Sequence, residues 1–125
     1  LPIYFYDDDG AMFKAFNKFM NFLEEEELPQ SRDDEVARGV RTYRKIGPAV
    51  IIDSMLTVFN SRGQYELDRA LEDVIKSNVM PALEGLERNE LKCLMLKAQE
   101  VLGQNHGISN TLEKMVDSPG LSVFG

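Results

Sequence analysis

A chain of 125 residues with 43% apolar, 9% aromatic and 28% charged side chains is about one domain long and carries enough apolar surface to bury its own core, which excludes a disordered chain. Its 21 acidic residues against 14 basic ones leave a net charge of -7, which opposes general attraction to phosphate backbones and anionic lipid. One cysteine, Cys93, cannot close an intrachain disulfide, and the expectation is a reducing, intracellular and cytoplasmic setting.

Apolar runs fall short of the roughly 18 residues that span a bilayer, and the N-terminus lacks the basic, apolar and small-residue order of a signal peptide. The expected protein is therefore soluble and away from membranes. The chain opens on Leu1 rather than Met, which leaves room for an upstream segment. Pro2 to Tyr6 reads Pro-Ile-Tyr-Phe-Tyr, a β-prone stretch stopped by the turn-forming Asp7, Asp8, Asp9 and Gly10. With no second strand to pair with, residues 1–10 are expected to form an extended arm.

From Ala11 to about Glu26, Met12, Phe13, Phe16, Phe19, Met20 and Leu23 recur at spacings of three and four, which predicts a helix with one apolar face. Asp8 and Asp9 are placed to cap it. Glu24 to Glu27 face the negative end of the helix dipole and should fray the last turn before Pro29. A second helix is predicted from Ser31, with Asp34 as a weak capping box, through Val36, Val40, Tyr43 and Ile46 to Gly47. Pro48 then opens a third, running to about Asn60. Its Val50, Ile51, Ile52, Met55, Leu56, Val58 and Phe59 leave few polar positions, so it is expected to be the central, most buried helix. A buried strand over residues 49–52 is the rival, because a short β-branched run has no decisive period.

After a loop at Asn60 to Gly63, residues Tyr65, Leu67, Ala70, Leu71, Val74 and Ile75 predict a helix to about Ser77. Asn78 and Pro81 permit a break and a short helix through Leu86. Leu91, Leu94, Met95, Ala98, Val101 and Leu102 form the cleanest helical stripe of the chain, closed by Gly103. Ser109 or Asn110 can cap a final helix carrying Leu112, Met115 and Val116, ended by Ser118, Pro119 and Gly120. The fold class is thus all-α. About six helices over residues 11–117 pack as a compact orthogonal or bundle-like domain, with residues 118–125 as a tail.

No constellation in the sequence supplies chemistry, and the expected function is non-enzymatic. His106, in a polar loop, is the only histidine, and Cys93 lies beside an apolar stripe where a free thiol acts as a small core residue. An EF-hand loop starting at Asp7 fails, since Met12 and Lys18 stand where Gly and Glu are required. Neither a zinc cluster nor a phosphate-binding glycine loop is present, so no cofactor or metal is expected. The carboxylates Glu24 to Glu27, and Glu66, Asp68, Glu72 and Asp73, are assigned to solvated faces.

Two features point to partner binding. Arg38, Arg41, Arg44 and Lys45 form the one basic concentration, and on a helix Arg38, Arg41 and Lys45 share a side. Near the N-terminus Tyr4, Phe5, Tyr6, Phe13 and Phe22 add apolar surface beyond what one core contact needs, in residue types enriched at protein interfaces. The expectation is a protein–protein interaction module that self-associates or docks on a protein partner. The alternative is a nucleic-acid-associated regulator or packaging subunit acting through residues 38–45, which the global charge disfavours.

Overall fold

The computed structural model describes residues 10–26, 36–61 and 66–117. Within them the chain forms five α-helices, α1 (Ala11–Leu23), α2 (Pro48–Ser61), α3 (Leu67–Val74), α4 (Arg88–Val101) and α5 (Gly107–Asp117), and no strand. The arm with Tyr4, Phe5 and Tyr6, the caps proposed at Asp8, Asp9 and Ser31, and the 118–125 tail lie outside the described residues.

α1 lies where the three-and-four spacing predicts it, but Phe13 and Phe16 of the predicted apolar face are exposed. Met12, Ala15, Phe19, Phe22 and Leu23 are buried on its inner face, and the helix stops at Leu23, before its four glutamates, as the unfavourable dipole requires. The run at residues 49–52 is helical and part of α2. α3 continues into a wider π turn at Ile75–Val79 and a tight 3-10 turn at Met80–Leu83. Pro81 accounts for that change of winding, because it brings no N–H to the carbonyl four residues back. α4 starts at a reciprocal capping box between Glu87 and Glu90 and ends before Gly103, whose φ of +115° suits glycine. The buried side chains of all these elements form one cluster, with Phe19, Phe22, Leu71, Ile75, Met80, Leu83, Leu94 and Leu112 at its centre.

Two expectations are corrected. The first is the helix predicted over Ser31 to Ile46. Its described part, residues 36–46, holds only a 3-10 turn at Val40–Thr42, so Arg38, Arg41 and Lys45 do not share a helical side. Tertiary bonds replace the helical ones here. The Arg38 N–H donates to the Cys93 carbonyl of α4 at 3.1 Å, and Thr42 Oγ1 accepts from the Glu26 N–H at 3.0 Å. Gly39 packs its backbone directly on that of Glu24, so that an added Cβ would meet Glu24 main-chain atoms. The second correction concerns α2, which is peripheral rather than central. Only Ser54, Met55 and Val58 are buried in it, and it packs on α3 and the π turn. Because α2 is apolar nearly all round, its composition could not say which side would be covered.

Gly39 carries a sharp test of this packing. Its φ of -78° is open to any residue, so Gly39→Ala acts through the collision with Glu24 alone. Urea unfolding should show a loss of about 1–3 kcal/mol, the usual cost of overpacking, and a neutral result would contradict the close approach.

Candidate functional site

The basic segment turns inward. Arg38 is only 7% exposed, with its Nη1 3.7 Å from Cys93 Sγ. Beside this pair, burial and contact with the Cys93 thiol push the Tyr43 phenol up to about 12, against the pull of Arg38. Arg44 fans out onto main-chain carbonyls, with Nε donating to Ala82 at 2.9 Å, Nη2 to Glu84 at 3.2 Å and Nη1 to Tyr43 at 3.2 Å. The Ala82 and Glu84 carbonyls are among those that the tight turn ending near Glu84 leaves without helical partners. Arg41 and Lys45 are exposed. Of the four cations expected to form a docking face, two are therefore used inside the fold.

Lys97, absent from the expected site residues, completes this internal electrostatics. It is 8% exposed and its Nζ lies 3.2 Å from Glu24 Oε2 and 2.9 Å from Glu26 Oε1. Burial alone would lower its pKa, but the hydrogen bonds and charges of Glu26 and Glu24 outweigh that and raise it. Glu24 and Glu26 thus clamp the ammonium from two sides, with Glu26 making the shorter contact. Glu24 and Glu26 were expected to fray a helix end and to lie on a solvated face.

The aromatic residues divide. Phe22 is fully enclosed and is withdrawn from the partner surface, because it falls on the inner face of α1 with Phe19. Phe13 is 66% exposed and Phe16 is exposed beside it on α1. The larger departure from the sequence reading is on α2, where Ile52 is 60% and Leu56 50% exposed, with Ala49 exposed as well. At about 100° per residue these three fall on one arc of the helix. Next to them on α2, Asp53, Thr57 and Ser61 form one wall of a cleft floored by Ala70 and Val74.

His106 is half-buried rather than an exposed loop residue. Its Nδ1 accepts the N–H of Ile108 at 3.1 Å, so it caps α5, which starts at Gly107 rather than at the expected Ser109 or Asn110. Burial lowers its pKa, with Glu72 and Asp68 of α3 pulling it back up, and Lys18 of α1 and Lys76 of the π turn pushing it down. Among the described residues no three His, Cys, Asp or Glu side chains converge as a metal site, and no helix is long and apolar enough to cross a membrane. Comparison with protein-family models, curated proteins and solved structures gives no match to this chain.

The cap sets a pH dependence. An Nδ1 that accepts a helix N–H must be unprotonated, so the folded state holds His106 neutral below the ordinary 6.5 at which the unfolded chain titrates. The stabilisation is complete above that value and is lost as pH falls toward the folded pKa. His106→Asn keeps an acceptor at the cap without the titration. Unfolding measured from about pH 7 to about pH 5 should lose stability less steeply in this variant than in the parent chain. Equal slopes would contradict the assignment.

Proposed function

We propose that this chain is a non-enzymatic helical interaction module that docks on a protein partner through the outward face of α2. The observation that carries the proposal is the mismatch between the composition of α2 and its place in the fold. A helix on the surface ordinarily turns charged residues to water. In its 14 residues α2 has one charge, Asp53, and it presents Ile52 and Leu56 where charges would stand. Ordered apolar surface of this kind gains free energy when a partner removes it from water, at about 25 cal/mol per Å² of apolar area.

Phe13 and Phe16 of α1 add exposed aromatic surface at the end of the chain first assigned to partner binding. The reading through nucleic acid loses support on the same grounds, because Arg38 and Arg44 are spent on Cys93 and on main-chain carbonyls and the net charge repels a polyanion.

Replacing Ile52 and Leu56 together by Glu tests the proposal without disturbing the core, since both side chains are half or more exposed. The expected result is an unfolding midpoint close to that of the parent. Proteins retained by the parent chain as bait should be lost from the variant, and any concentration-dependent mass of the parent in sedimentation at tens of micromolar should become monomeric. Retention of the same proteins and the same mass by the variant would overturn it.

A further inference from the structure

We infer that the cleft between α2 and the α3–π segment is a subsite for a cationic side chain, a guanidinium or ammonium group, carried by the partner that docks on α2. The cleft has a volume of about 180 Å³, with Asp53, Thr57 and Ser61 on one wall and Asp73, Ser77 and Asn78 on the other. Its walls follow from helical spacing. Positions 53, 57 and 61 stack on one side of α2, and the π turn at Ile75–Val79 brings Ser77 and Asn78 to the opposite side. Short side chains along both walls keep the gap open.

The groups facing this space are dominated by acceptors. Thr57 Oγ1 donates to the Asp53 carbonyl at 2.9 Å and Ser61 Oγ to the Thr57 carbonyl at 2.8 Å, so both hydroxyls have used their single hydrogen within the helix and keep lone pairs for a ligand. Asn78 Nδ2 donates to the fully buried Ser54 Oγ at 2.9 Å, which fixes its amide at the cleft wall. Among the described residues, two carboxylates and no cation line the cleft. Neither Asp53 nor Asp73 has an ion-pair partner among the described residues. With only these two carboxylates, the donor set is poor for a hard divalent cation, which takes six or more oxygen ligands. It suits the several N–H donors of a guanidinium or ammonium.

Position joins this cleft to the docking face. Asp53 follows Ile52 directly and lies about 60° around the helix from Leu56, so a segment laid on the apolar arc would reach the cleft with a flanking basic residue. The inference rests on the reading of α2 as a docking surface, and it selects among partners. Charge complementarity with a chain of net charge -7 favours a basic amphipathic segment over a second copy of this acidic chain.

The test probes the cleft apart from the apolar face. Isotope-labelled chain is titrated with N-acetyl-arginine methylamide and N-acetyl-lysine methylamide, with N-acetyl-glutamate methylamide and magnesium chloride as comparisons, and followed by amide chemical shifts. The expected result is saturable shifts confined to residues 53–61 and 70–78 with the two cationic probes, and a dissociation constant at least tenfold weaker in the Asp53→Asn, Asp73→Asn double variant. The Ile52→Glu, Leu56→Glu variant should still bind the probes, so a failure of the docking reading is distinguishable from a failure of this one. Shifts scattered over all acidic surfaces, a stronger response to magnesium, or no loss in the Asn double variant would overturn the cleft assignment.

Discussion

The fold depends on one buried ammonium. Lys97, on the otherwise inward-facing side of α4, reaches the two glutamates that follow α1, and in doing so it anchors the chain as it leaves that helix. A lysine at this depth is unfavourable unless carboxylates accompany it. The neighbouring contacts depend on the same placement. With Glu24 held by Lys97, its backbone lies close enough to Gly39 to exclude a side chain there, and Thr42 can accept the Glu26 N–H. The 36–44 segment is thereby trapped between the end of α1 and α4. From that position Arg38 reaches Cys93 and Arg44 reaches the carbonyls of the turn after α3.

This arrangement reverses the roles that charge and apolarity would suggest. Half of the most basic stretch works as an internal fastener, Arg44 supplying hydrogen bonds to backbone that has left regular helix and Arg38 reaching the Cys93 thiol. The most apolar helix lies at the edge. Such an inversion is compatible with a stable core because α1, α3, α4 and α5 together bury enough large side chains without α2. The outer arc of α2 is then left apolar and exposed, which is the basis of the docking role and the cation-selective cleft proposed for it.

Much of the architecture was legible in the chain. Regular three-and-four spacing located α1 and α4 to within a few residues, and Pro81 correctly marked the break after α3. Arg38 and Phe22 were misplaced for different reasons. Phe22 sits at the edge of the α1 stripe, where small rotations of the helix decide between core and solvent. The helical pattern around Arg38 was a weak one, overridden by hydrogen bonds from residues 16 to 55 positions away, to which local propensity is blind. Lys97 and the exposed arc of α2 were missed because burial of a lone lysine, and the exposed side of a helix apolar all round, are set by tertiary packing. His106 had a detectable signal in retrospect, since a polar residue two positions before Ile108 stands where a cap belongs.

That Lys97 anchors the end of α1 and that Arg38 and Arg44 are spent inside the fold is tested most directly by unfolding free energies for Lys97, Arg38, Arg41, Arg44 and Lys45 replaced one at a time by Gln. Lys97→Gln should lose at least as much as either Arg38→Gln or Arg44→Gln. Arg38→Gln and Arg44→Gln should each lose about 1–3 kcal/mol, as expected when buried or partly buried acceptors lose a charged donor. Arg41→Gln and Lys45→Gln should stay within about 0.5 kcal/mol of the parent, as exposed substitutions do. Equal small effects at all five positions would return the segment to the surface and contradict the account.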